Sequence, residues 1–474
     1  MKYLSRIFFL LLFLSSHLPA ASVIGVFSND QKLKVQNADG SMGSLAVTVP
    51  KKMRKYLSSL QKAPYLKFHG KFATDDHFKA INIPTIYSGN YAYKGKLTQK
   101  GPNSFLLDTG RMKLKTRFHP GKKVNGFGFD ELSRTFFRNQ DVETIGIMEG
   151  DTYVIQAIIP RWLYSAKETR KWMPKGIHQD FNNDPKKYIL KTVSKNQISQ
   201  GLHSFRGTVF EKRPVKEGDT VLIVTMSGRQ GDDISSSLGH FAIGSGVVEA
   251  DKSLTYEIHN LYPGKNEKLI VPGHVSVVDY YGGVVTGQNI YRPTYSLLIY
   301  GVDSKKLKIM RDAMDYEYHH MRSHPEQKIT VDHNCTTISL EGLKAAKIYG
   351  RHKNFLRKFF TPRNLAKLNP GFYFNRTTKL GALSYMVAEN PAGYIPRLAF
   401  YSLFKNIKHL NKKGFGAFKV DFVFHAQTPS KRPVGGVSID EFREMVKGKS
   451  MDEEAKKKKT PPEEIAKILN NLID

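Results

Sequence analysis

Cysteine is nearly absent: Cys335 is the only one in 474 residues. A lone thiol cannot close a disulfide within the chain, so no covalent staple contributes to its stability. Beyond the N-terminus there is no stretch of about 18 uninterrupted apolar residues, which removes the usual signature of a membrane-spanning helix. Acidic residues are scarce, 42 against 73 Lys and Arg, for a formal net charge of +31. The sequence holds no Gly-rich phosphate loop and no Gly-x-Ser-x-Gly elbow, so nucleotide and serine-hydrolase chemistry lack their motifs. It has no cysteine set for zinc, and His319, His320 and His324 are poorly spaced for one ion. No metal and no cofactor is expected.

Export is legible in the opening MKYLSRIFFLLLFLSSHLPAAS. Lys2 and Arg6 form a positive start, Ile7 to Leu14 an apolar stretch, and Leu18-Pro19-Ala20 a small-residue cleavage site, so residues 1–20 are expected to be a signal peptide. No cysteine follows it, which closes the lipoprotein route. The expected location is outside the cytoplasm, in the periplasm or cell envelope of a bacterium. Losing Lys2 and Arg6 leaves a charge of +29, with the basic residues spread along the chain. Either that is a solvated Lys-rich surface, or it is a field that attracts anionic partners. In an exported protein those partners are phospholipid or peptidoglycan, with peripheral membrane contact compatible and nucleic acid not expected.

The length predicts two to three domains. Residues 21–87 are mixed, with a helical spacing of Met53, Tyr56, Leu57 and Leu60 after Pro50. Residues 88–160 alternate around turn signals at Gly101-Pro102-Asn103, Asp108-Thr109-Gly110 and Glu149-Gly150-Asp151, which predicts a small β-barrel-like domain. A polar connecting segment, 161–205, follows. From 206 to 350, "DTVLIVTMS", "GHFAIG", "LTYEIHNLY" and "TYSLLIYGV" are strands, Lys305 to Met321 is a helix, and a second helix runs from Cys335 toward Gly350. Residues 351–447 are basic and aromatic and end in the strand-like "GAFKVDFVFHA". The stretch 448–474 is a low-complexity tail with a short helix after Pro462.

An unpaired thiol in an oxidising compartment is either buried as a small hydrophobe or kept for its chemistry. "VDHNCTTISLEGL" favours chemistry. Asn334 is a good N-cap, which puts Cys335 on the first helical turn, where the free N–H groups and the helix dipole favour a thiolate. A nearby His would take its proton. His240 and His333 are the candidates, and His333 is the poorer, because neighbours at a helix start point apart.

"SLGHFAIG", then "YEIHN", then "HNCTTISLEGL" resemble the circularly permuted papain-like hydrolases, a group that includes lecithin retinol acyltransferase and NlpC-related enzymes. Within that group the "GH" strand and "NCTT" helix start are most similar to the Lnb-type N-terminal periplasmic domain. The resemblance covers about 206–350. It implies an α+β fold: a permuted papain-like domain, made of an antiparallel sheet and a Cys-bearing helix, preceded by the small barrel. It implies Cys335 as nucleophile, His240 as general base and His259 as the residue that orients His240, with Asn260 and His274 nearby. The implied activity is cysteine-dependent hydrolysis or acyl transfer on an envelope peptide, amide or ester bond through a thioester. The alternatives are a non-catalytic envelope-binding scaffold with a basic surface and, further off, a redox-sensing thiol.

Overall fold

The computed structural model describes residues 21–28, 31–36, 41–51, 53–54, 57, 65–74, 76–81, 84–121, 129–166, 175–194, 204–228, 239–263, 270–285, 287–323, 334–349, 396–412 and 415–428. The expected signal peptide, His333 and the 448–474 tail lie outside the described residues.

The first strands are β1 (Ala21–Phe27), β2 (Lys32–Gln36), β3 (Met42–Thr48), β4 (Tyr65–Thr74), β5 (His77–Ala80) and β6 (Thr85–Tyr87). Alternate residues such as Leu33, Val47, Leu66, Phe68 and Phe78 point into one core, with Met53 and Leu57 of the expected 50–61 helix packed among them. The barrel follows: β7 (Tyr91–Gly101), β8 (Ser104–Asp108), β9 (Lys113–Phe118), the short helix α1 (Glu131–Phe136), β10 (Gln140–Glu149) and β11 (Thr152–Pro160). These five strands close in the order β10-β11-β9-β8-β7. Gly110 and Gly150, at φ of 80° and 59°, make two of its turns.

Helices α2 (Lys175–Asn183) and α3 (Pro185–Ser194) lead into β12 (Phe205–Glu211), β13 (Thr220–Ser227), β14 (His240–Val248), β15 (Leu254–Pro263) and β16 (Ile270–Ser276). Next come α4 (Val277–Gly282), α5 (Gln288–Tyr291), β17 (Thr294–Tyr300), α6 (Ser304–Ser323), α7 (Cys335–Ala345), α8 (Pro396–Lys412) and β18 (Lys419–His425). Together with β1–β6 these strands form one 13-stranded sheet in the order β1-β2-β3-β5-β4-β6-β16-β15-β14-β13-β17-β18-β12. A mixed, sheet-rich α+β fold with a small barrel is the result.

Both faces of the central strands β13, β17 and β18 are covered, which is why they are buried at nearly every position and not at alternate ones. Leu222, Val224 and Met226 of β13 join a core with Phe241 and Ile243, Met310 and Met314 of α6, Leu340 and Leu343 of α7 and Phe400 of α8. Val221 and Ile223 face the other way, toward Tyr280 and Tyr281 of α4 and Ile145 and Ile159 of the barrel. Helices α6 and α7 pack closely because Gly342 has no side chain: a Cβ there would lie 2.8 Å from Met314 Sδ.

One expectation changes. The stretch from 351, taken to lie outside the 206–350 unit, returns β18 to the sheet between β17 and β12. A fully buried ion pair marks the join: Arg206 Nη2 lies 2.5 Å from Asp421 Oδ2. The same guanidinium donates to the Leu163 and Ser165 carbonyls and to the Tyr300 hydroxyl. Residues 270–291, between the strand of His259 and the next strand of the sheet, supply β16, α4 and α5. β16 pairs in parallel with β6, from His274 opposite Thr85, so it carries the central sheet into the N-terminal strands.

Candidate active site

The thiol is placed by helix capping. Asn334 has extended backbone, φ −132° and ψ −177°, and its side chain accepts from the amides of Thr336 and Thr337 at 2.8 and 3.2 Å. In return the Asn334 amide donates to Thr337 Oγ1 at 2.8 Å, a complete capping box. The helix must therefore begin at Cys335, whose residue is half-buried.

β14 supplies the partner. β15 pairs with β14 only from Ile243 onward, opposite His259, so His240–Ala242 carry no ladder on that side. Cys335 docks at this opening. Burial alone would raise its pKa, but the positive charge and ring N–H of His240, the Phe241 amide and the Thr336 hydroxyl outweigh it. The net effect brings the thiol down to about 7.

Gly239 sets the position of His240. It lies at φ +88°, and a Cβ would sit 2.4 Å from the Ser227 carbonyl oxygen. Gly239→Ala is therefore expected to cost about 1–3 kcal/mol and to displace His240. Thermal unfolding together with the alkylation rate of Cys335 checks it. Unchanged values for both would show that the turn tolerates a side chain.

His240 looks onto the barrel-side face of the sheet, with its ring centroid 6.2 Å from that of Tyr280. Ser227, Thr294 and His425 continue the same row across β13, β17 and β18. Tyr280 is buried, and burial first, then the neighbouring Tyr281, hold its pKa well above the phenol range; charge on Cys335 adds to the rise. A protonated hydroxyl thus stands within electrostatic reach of the sulfur. α4 fixes it there through Asp279, which accepts from the Ser88 amide at 2.9 Å and from Ser276 Oγ at 2.9 Å. Tyr280 was not foreseen in the sequence, because "VVDYY" has no periodicity that separates it from core.

His259 lies elsewhere. It pairs with Ile243, three positions along β14 from His240, or about 10 Å at 3.3 Å per residue. The odd offset also sends the two side chains to opposite faces of the sheet. The His259 ring packs on His274 at 4.5 Å and Tyr318 at 5.9 Å, and its Nδ1 has no hydrogen-bond partner. Burial, with the charge of His274 second, drives its pKa well below the imidazole range. The structure thus brings Cys335 and His240 together and leaves His259 out of the pair. The Asn260 side chain lies outside the described residues. No protein-family model matches the chain, and a search of curated proteins finds no match either.

Proposed function

We propose that the chain is an exported thiol hydrolase or acyltransferase of the permuted papain-like class, acting on a peptide, amide or ester bond of an anionic envelope component. The observation that carries this reading is the Cys335 thiol, at the first turn of α7, hydrogen-bonded to His240 of β14, a contact that, in spite of burial, draws the thiol down to about 7. The Cys335 thiolate attacks the carbonyl carbon and forms the C–S bond. As the C–N or C–O bond breaks, His240 gives its proton to the departing amine or alcohol. His240 then takes a proton from water or an acceptor alcohol, whose oxygen displaces the thiolate and releases the acyl group. The cap occupies the Thr336 and Thr337 amides, so the Cys335 amide is the first-turn donor it leaves over for the developing oxyanion. The Tyr280 hydroxyl is a second donor on that side. The net charge of +31 supports an anionic substrate.

The test is the pH dependence of iodoacetamide alkylation of the folded protein. Since the thiolate is the reactive form, the rate should rise through about pH 7 and then level off. A free thiol would rise near its ordinary 9.0. An inert thiol, or an inflection at the free value, would remove the basis for a catalytic reading.

A further inference from the structure

A second polar cluster lies under α6, away from Cys335. His259 on β15 and His274 on β16 are direct cross-strand neighbours, and Asp315 of α6 reaches down to them. One nitrogen of each imidazole and one carboxylate oxygen lie within 4.8 Å of one another. His274 Nε2 is 2.6 Å from Asp315 Oδ1. Both histidines are buried, at 2% and 0% exposure, and the Nδ1 atoms of both have no hydrogen-bond partner. Buried ring nitrogens ordinarily find a partner, and two orphans in adjacent rings point to a missing ligand.

The neighbouring charges do not supply one. Glu257 accepts from His69 Nε2 at 3.0 Å and Thr85 Oγ1 at 2.5 Å, and it also pairs with Arg311. The pairing with Glu257 offsets part of the Arg311 charge beside the cluster. Asp315 keeps 23% of its side chain exposed, which gives a route from solvent.

We propose that His259, His274 and Asp315 form a binding site for one first-row divalent cation of the zinc type, with solvent completing the coordination. Two imidazoles and a carboxylate are donors such ions accept. At bond lengths of about 2.0–2.1 Å, tetrahedral ligands stand about 3.4 Å apart, so small side-chain rotations close the set. The three ligands come from two strands and a helix, so the ion ties α6, and with it the α7 that packs on α6, to the sheet. This site is independent of the thiol chemistry: it shares no residue with the Cys335–His240 pair. The sequence hides it, because the ligands lie 15 and 41 positions apart and follow no motif spacing.

Full-length protein, stripped with chelator and dialysed, is titrated with Zn²⁺ by calorimetry and with Co²⁺ by visible absorption. Wild type and Cys335→Ala should both bind one equivalent at this site, and the Co²⁺ bands of Cys335→Ala should persist without thiolate charge transfer. Asp315→Asn and His259→Gln should each weaken Zn²⁺ by more than the about 10–100-fold that loss of an outer-shell partner costs, and Zn²⁺ should raise the melting temperature of wild type more than that of either variant. Asp315 is partly exposed, so its variant keeps the test open if His259→Gln does not fold. The proposal is overturned if the folded wild type binds no stoichiometric Zn²⁺. It is equally overturned if binding is lost in Cys335→Ala and kept in Asp315→Asn, which would place the ion on the thiol pair.

Discussion

Asp421→Ala is expected to destabilise the protein by about 3–5 kcal/mol, the range for stripping one partner from a buried ion pair. Arg206 and Asp421 are both fully buried. Without the carboxylate, the guanidinium remains in the core, hydrogen-bonded to the Leu163 and Ser165 carbonyls and the Tyr300 hydroxyl. Those accept hydrogen bonds but do not cancel the charge. Thr208, which donates to Asp421 Oδ1 at 2.8 Å, loses its partner too. At roughly 2–4 °C per kcal/mol for a domain of this size, melting should fall by about 10 °C. The double change Arg206→Met, Asp421→Leu should recover most of the loss, because a packed apolar pair avoids the desolvation that the ion pair only offsets. A single-variant loss below about 1 kcal/mol would mean that β18 is not seated beside β12 as described.

That pair also explains what the sequence could reveal and what it could not. The strands "DTVLIVTMS", "GHFAIG", "LTYEIHNLY" and "TYSLLIYGV" are legible from their β-branched and aromatic residues between turn signals, and "VLIV" and "LLIY" also as short apolar runs. The barrel is legible from its turns, and α6 from its Leu307, Met310, Met314 and Met321 spacing. The start of α7 is legible to the residue, because an N-cap is a local, one-residue interaction. Non-local pairing is not legible. Nothing in "GAFKVDFVFHA" says that it returns across 215 positions to lie beside Arg206. Nothing in "VPGHVSV" says that it pairs with β6. The candidate site divides along the same line. Cys335 announces itself as a lone thiol behind a cap, and His240 follows a glycine that the backbone needs at φ +88°. His259 carries no local signal of direction: strand parity, set by the register with β14, turns it away from His240 and toward His274.

His240→Ala should separate the two jobs assigned to that ring. In the wild type the thiol sits at about 7, so about half is thiolate at pH 7. Without the charge and N–H of His240, burial is no longer outweighed, and the pKa should return at least to its ordinary 9.0. The thiolate fraction at pH 7 then falls about 50-fold, while the more basic sulfur becomes intrinsically about 8-fold more nucleophilic. Alkylation at pH 7 should therefore slow only about 6-fold, with its inflection moved up by about two pH units. The stability linkage has a definite sign. A pKa lowered on folding stabilises the native state above the unfolded value and loses that contribution as pH falls through about 7, so His240→Ala should flatten the gain in stability between about pH 7 and 9. Turnover should suffer far more than alkylation. Iodide needs no proton to leave, whereas an amine or alkoxide does, and the missing general acid–base contributes about 10²–10⁴-fold. The comparison is the alkylation profile against acyl transfer to a thiol-reactive ester probe, on wild type and variant, with circular dichroism to establish that both are folded. An inflection that stays near 7 in the variant would show that His240 does not tune the thiol. Equal losses in alkylation and acyl transfer would show that it tunes the sulfur but carries no proton.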